Sequence, residues 1–275
     1  MHGVTSTMNY TYSHSIDDAS DGQDYVPDAT QPDNSFCRRC ERASSNFDQR
    51  HHFVWTMNYR VPSGHSWKPL TSGWSVDNVI TLSAGQPVNI NYMFEGDFNG
   101  SSEFYGRGDL VGNPFAGTSG MGSGYFINNS AFAVPCNYDP TALTGDPNSG
   151  CNLANEGQHF GNVGRNSLNG PTFKNWDFSL VKDTKLTEKI NMQLRADFFN
   201  ILNHPNFASP LWPGFLVDFA ANGLTCTCAT PIPDATNGRG KGFTQSTSTP
   251  DVGLGNPFLG GGGSRNIQFA VRFSF

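Results

Sequence analysis

Apolar and polar residues alternate without a break at the end of the chain. Across 265–275, Ile267, Phe269, Val271, Phe273 and Phe275 fall on one side and Gln268, Ala270, Arg272 and Ser274 on the other. A period of two is that of a β-strand with one apolar face. The same alternation runs through 188–202, where Ile190, Met192, Leu194, Ala196 and Phe198 oppose Asn191, Gln193, Arg195 and Asp197. Residues 175–182 set Trp176, Phe178 and Leu180 against Asn175, Asp177 and Ser179, and 51–61 set Phe53, Trp55, Met57, Tyr59 and Val61 against His52, Thr56, Asn58 and Arg60. Residues 74–84 carry Trp74, Val76, Ile80 and Leu82 on one face, interrupted by Asn78, and 4–13 carry Val4, Met8, Tyr10 and Tyr12 against Thr5, Thr7, Asn9 and Thr11.

Any one of these strands fits a soluble antiparallel sandwich as well as a membrane barrel. The spacing between them separates the two. Connections run long (about 15–50), short (62–73), very long (about 94–172), short (183–187) and very long (203–264). Outer-membrane barrels alternate short periplasmic turns with long extracellular loops, whereas compact soluble domains seldom hold two structureless loops of this size. Eleven terminal residues at about 3.3 Å each, tilted near 45°, rise about 26 Å, close to the apolar band of such a barrel. With Phe275 at the periplasmic face, every long segment falls outside the cell. The expected architecture is all-β: an antiparallel transmembrane β-barrel segment of about six meander strands with long extracellular loops.

Composition sharpens this picture. The 275 residues contain 31 Gly, 17 Pro and 27 Asn, too many turn formers for a helical bundle. Charged residues make up 15% against about 25% in ordinary soluble domains, while aromatics reach 13% with 22 Phe. No run approaches the roughly 20 apolar residues of a membrane helix, and residues 1–14 lack an export leader's apolar core, but hydropathy is blind to barrel strands. A net charge of −6 argues against a nucleic-acid partner.

The six cysteines, Cys37, Cys40, Cys136, Cys151, Cys226 and Cys228, lie two to each long segment and none in a strand. This distribution fits loop-stapling disulfides in an oxidising compartment, with fifteen pairings open. Cys37-Arg-Arg-Cys40 ahead of His51 and His52 also has the spacing of a zinc half-site or redox pair, but no second Cys-x-x-Cys follows, so a loop staple is the simpler reading and no metal is expected. Asp17-Asp18 reads as solvated acidic surface, with weak calcium binding as the alternative, and Gly108 of Arg107-Gly-Asp109 as a turn former. No nucleophile elbow, metalloprotease motif or catalytically spaced carboxylate pair occurs, so neither catalysis nor a cofactor is expected.

Several segments carry a resemblance: Tyr10-Thr-Tyr-Ser-His-Ser-Ile-Asp-Asp18, Asn46-Phe-Asp-Gln-Arg-His-His-Phe53, Ile80-Thr-Leu-Ser-Ala-Gly-Gln-Pro87, Phe160-Gly-Asn-Val-Gly-Arg-Asn-Ser167, Gly170-Pro-Thr-Phe-Lys-Asn-Trp-Asp-Phe-Ser-Leu180 and Arg195-Ala-Asp-Phe-Phe-Asn-Ile-Leu-Asn-His-Pro-Asn-Phe207. Together they resemble the C-terminal barrel of Oar-like TonB-dependent outer-membrane receptors, of the type carrying a carboxypeptidase-regulatory-like domain. The resemblance spans nearly the whole chain in order. It implies a 22-stranded parent barrel in the bacterial outer membrane, an N-terminal plug, and a segment contacting the TonB complex. Six strands cannot close a barrel, so residues 1–275 are expected to be the C-terminal part of a larger receptor, its plug and signal peptide lying elsewhere and Met1 being an internal methionine or a truncated gene start.

On this reading Phe53, Trp55, Met57, Trp176, Phe178, Leu180, Ile190, Met192, Leu194, Phe198, Ile267, Phe269, Val271 and Phe273 meet outer-membrane lipid, and Tyr10, Tyr12, Tyr59, Trp74 and Trp176 form interfacial girdles. Arg60, Asp177, Arg195, Asp197 and Arg272 line the lumen, where they face the plug. Phe269, Val271, Phe273 and Phe275 resemble the terminal signal read by the barrel-assembly machinery. The partners implied are lipid, the rest of the barrel and plug, TonB through the missing part, and an extracellular ligand captured by the loops. The rival reading is a secreted or surface β-sandwich, an adhesin or lectin-like binding module, with its aromatic faces buried sheet on sheet.

Overall fold

The computed structural model describes residues 3–20, 32, 37–62, 68–93, 105–107, 109–110, 112–121, 125–128, 131–133, 161–207, 243–246 and 263–275. Its main body is a six-stranded sheet of β1 (Gly3–Tyr12), β2 (His51–Arg60), β3 (Trp74–Ser83), β4 (Phe173–Lys185), β5 (Asn191–Phe199) and β6 (Asn266–Ser274). They are hydrogen-bonded in chain order, each antiparallel to the next. A meander with no crossover sends the connections 13–50, 84–172 and 200–265 off one end, and 61–73 and 186–190 off the other. These are called the loop end and the turn end below. The chain terminus at Phe275 lies at the turn end.

The strand bounds differ from the expected ones where local chemistry intervenes. β4 begins at Phe173 and runs to Lys185, so the tight turn is 186–190 rather than 183–187. Leu186 N–H donates to the Ile190 carbonyl (2.9 Å), and the Thr187 hydroxyl accepts from Ile190 N–H (3.0 Å). β5 stops at Phe199 because Asn200 turns the chain with φ 49°, a left-handed conformation that asparagine tolerates better than most residues.

The long connections are not structureless. Two-residue ladders pair Ile16–Asp17 with Ala43–Ser44, Pro87–Val88 with Leu168–Asn169, and Asp109–Leu110 with Phe132–Ala133; Tyr125–Asn128 pairs with Phe243–Ser246. Most of the buried apolar side chains gather here as well, among them Val88, Ile90, Phe126, Ile127, Phe132 and Val163, while Phe173 and Val181 of β4 are the buried ones in the sheet among the described residues. The sheet has no such core. Phe269 is 80% exposed and Val271 59%, and among the described residues no second layer covers that face, which is what a sandwich would require.

At the turn end, Val61 N–H donates to the Trp74 carbonyl (2.9 Å) and Asp183 N–H to the Gly73 carbonyl (2.8 Å). Gly73 has φ +80°, and a Cβ there would lie 2.1 Å from the Asp183 oxygen. Gly73→Ala should therefore cost roughly 1–2 kcal/mol from the left-handed conformation alone, plus the clash. Its urea midpoint in detergent micelles should fall accordingly; an unchanged midpoint would remove this close approach.

Candidate functional site at the two faces of the sheet and its loop end

Residues directly opposite in antiparallel strands share a face, so the register assigns every strand side chain. One continuous row holds Met8, Trp55, Ile80 and Trp176. The next holds Met57, Asn78, Phe178, Phe198 and Ile267, and the next Tyr59, Val76, Leu180, Ala196 and Phe269. Leu194 faces Val271 and Met192 faces Phe273. The strand residues expected on the lipid side, from β2, β4, β5 and β6, thus lie on one face of the sheet, with Ile190 just beyond β5. Asn78, the interruption in that face, accepts a hydrogen bond from the Trp176 indole N–H, and Trp55 Nε1 donates to Ser6 Oγ (2.8 Å).

Aromatic residues mark both ends of this face. At the loop end the Tyr10 hydroxyl is 2.8 Å from His51 Nδ1, and the Tyr12 and His51 rings lie 5.3 Å apart. At the turn end Trp74 Nε1 donates to the Leu70 carbonyl (2.7 Å). Lys182 Nζ lies 5.3 Å from the Trp74 ring centroid and donates to the Ser72 carbonyl. Lys182 had no place in the sequence reading. Its stem lies along the apolar face while its ammonium is held by a ring and a carbonyl, the behaviour of an amphipathic side chain at a boundary. Trp176, expected in a girdle, shares a row with Trp55 instead.

The opposite face is mostly polar, with Val54, Val79 and Val181 among its residues, and Arg60, Asp177, Arg195, Asp197 and Arg272 all lie on it. Arg195 Nε donates to both Asp197 carboxylate oxygens (2.7 and 2.9 Å), and Ser179 Oγ donates to the same carboxylate. Asn58 bonds Asp77, Gln193 bonds Asp183, and His52 Nδ1 is 2.7 Å from Ser83 Oγ. Polar side chains that bond their neighbours in this way form a connected network.

Above the sheet, at the loop end, lies a buried ionic collar that the sequence reading missed. Glu41 is 1% exposed and accepts both Arg107 guanidinium nitrogens, Nη1 at 2.7 Å and Nη2 at 2.9 Å. Arg107 Nε donates to the Val163 carbonyl (3.0 Å). Arg165, its side chain fully buried, donates to the Glu41 carbonyl (2.9 Å), the Ser20 hydroxyl (3.1 Å) and both the carbonyl and carboxylate of Asp17. Asn166, at φ 52°, donates to the Ser44 carbonyl and the Asn46 amide oxygen, each at 2.8 Å. Segments far apart in the chain are thereby joined: 15–20, 37–48, 105–107 and 161–167.

One expectation is corrected. Asp17 is not solvated surface: burial pushes its carboxyl up, but the hydrogen bonds from Ser20 and Arg165 and the Arg165 charge outweigh this and hold it below the ordinary value. Arg107, which carried no expectation, is half of a buried ion pair with Glu41. Cys37 and Cys40 are joined in a disulfide across the turn that carries Glu41, and among the described residues no cluster of His, Cys, Asp and Glu could hold a metal. Cys136, Cys151, Cys226 and Cys228 lie outside the described residues.

The family described as Outer membrane beta barrel domain matches residues 1–254. No curated protein and no solved structure matches the chain.

Two outcomes follow from the collar. Glu41→Ala removes the carboxylate that meets Arg107 in this buried pair, and breaking a buried pair typically costs about 3–5 kcal/mol; amide exchange across 105–107 and 161–167 should accelerate while the sheet stays protected. Because Asp17 titrates lower when folded, its contribution is fully present above the ordinary carboxylate value near 4 and fades as pH falls through the lowered folded value. Protection of 15–20, corrected for intrinsic rates, should drop only at acid pH. A drop near neutrality would contradict this assignment.

Proposed function

Because the chain belongs to the outer membrane β-barrel domain family, and hence to the bacterial outer membrane, we propose that it is the C-terminal barrel part of an Oar-like TonB-dependent receptor. In this role it forms part of the wall and the extracellular ligand-capturing loops of an energy-coupled importer. The observation that carries the barrel role is the apolar face continuous across six strands, backed by a polar face, with all long connections at one end. Lipid covers the apolar face, and the polar face lines the lumen against a plug. The motif set quoted above, several of whose members meet in the collar, supports the receptor type.

The sheet is open, with one edge each on β1 and β6. Unpaired backbone groups are not tolerated in hydrocarbon, so on this reading the missing strands, the plug and the TonB-contacting segment come from the rest of the parent receptor. No catalytic residue is assigned. The collar holds the loop bases while the segments beyond it meet the ligand first.

Substitution tests the facing. Phe269→Arg, in the middle of β6, should cost about 2–4 kcal/mol in an intact barrel, and Gln268→Arg, one residue away on the other face, should be mild. Equal costs in urea titrations of the lipid-inserted protein would refute it. Formaldehyde crosslinking in cells tests the coupling: the parent receptor should capture TonB, and a receptor that assembles but never does so would keep the barrel and lose the importer.

A further inference from the structure

In a hairpin the turn fixes the register of the two strands. β5 and β6 have no such turn, because the long 200–265 connection separates them. Side-chain pattern alone does not replace it. In the observed register Leu194 lies opposite Val271, but a slip of two residues sets it against Phe269 or Phe273 and keeps apolar against apolar. On the polar face only one of those slips brings like charges together, Arg195 against Arg272. Some other feature must distinguish the observed ladder from its neighbours.

The segment just after β5 supplies it. Asn200 and Asn203 both take left-handed conformations, φ 49° and 50°. The Asn200 side-chain amide donates to the Gly263 carbonyl (2.8 Å) and the His204 carbonyl (2.9 Å), and its oxygen accepts from His204 N–H (3.0 Å). Both amide hydrogens and the oxygen are thus in use. Asn203 Oδ1 accepts the Arg265 N–H (2.9 Å). Gly263 and Arg265 immediately precede β6, and a two-residue slip would move both by about 6.6 Å, breaking both bonds. The clasp is itself anchored to β4: Asp177 Oδ1 accepts Asn200 N–H (2.9 Å), and Asn206 exchanges two bonds with the Lys174 backbone (2.7 and 2.9 Å).

We propose that Asn200 and Asn203 form a clasp that sets the register of the terminal strand as it joins the wall. They are positioning residues, acting through backbone groups of the lead-in to β6 rather than on any ligand. The clasp acts at the loop end, opposite the aromatic terminus at Phe275.

The test uses the full chain inserted in outer membranes, with Leu194→Cys combined in turn with Val271→Cys, Phe269→Cys and Phe273→Cys. Bridges are located by peptide mass mapping, which separates them from bridges to native cysteines. The Val271 pairing should dominate. Asn203→Leu should lower the native bridge relative to slipped ones about fivefold, the scale of one lost hydrogen bond. Asn203→Asp, which keeps an oxygen acceptor for the Arg265 N–H, should retain the native bridge. An unchanged ratio in Asn203→Leu, or equal behaviour of the Leu and Asp variants, would overturn the proposal. Should Asn203→Leu not insert, insertion becomes the readout: Asn203→Asp must insert and keep the native bridge, and its failure to do so also overturns the proposal.

Discussion

A peptide N–H or C=O facing hydrocarbon has no water to bond, and each one left unpaired costs several kcal/mol. Backbone pairing between neighbouring strands is therefore the condition on which the rest of this structure depends. The six strands satisfy it by a meander in which each pairs with the next in the chain. Side chains then have only two directions available. One carries most of the Trp, Phe, Leu and Met, the other most of the Arg, Asp, Gln and Ser. With this arrangement the sheet needs no core of its own, and the exposed Phe269 and Val271 are consistent with a surface that lipid covers.

The polar interactions of the loop end obey a different constraint. Above the sheet the chain must leave the wall, turn and return, and backbone groups there are satisfied piecemeal. Short ladders satisfy part of this need, and buried side chains satisfy much of the remainder. Arg165 serves one backbone carbonyl from each of two segments, those of Asp17 and Glu41, while Arg107 serves that of Val163. A buried guanidinium is costly unless its donors are matched and its charge is met by carboxylates, and both conditions hold here. The disulfide between Cys37 and Cys40 closes the turn that presents Glu41. The collar is thus a rigid base, separate in its physics from the wall beneath it.

The asparagines after β5 connect the two regions. Asn200, Asn203 and Asn206 recur every third residue, and each side chain reaches the backbone of another segment. Left-handed conformations at Asn200 and Asn203 end β5 and turn their amides toward the strand that follows a long excursion. Asparagine suits this role because it tolerates φ > 0 and carries both a donor and an acceptor.

The sequence by itself determined the six strands, their alternating faces and the end at which each long connection leaves. These depend on a period-two pattern and on spacing, both of which are local. It did not reveal the collar. Glu41, Arg107 and Arg165 are separated by long stretches of chain, and nothing in the residues around Asp17 announces a buried guanidinium, so Asp17 read as solvent-exposed. Lys182 escaped for a similar reason, since its partners Trp74 and Ser72 come from a distant turn. Register, burial and charge pairing across segments were decided by tertiary structure alone, because each depends on which distant residue arrives opposite, and alternation cannot distinguish a strand from the same strand slipped by two.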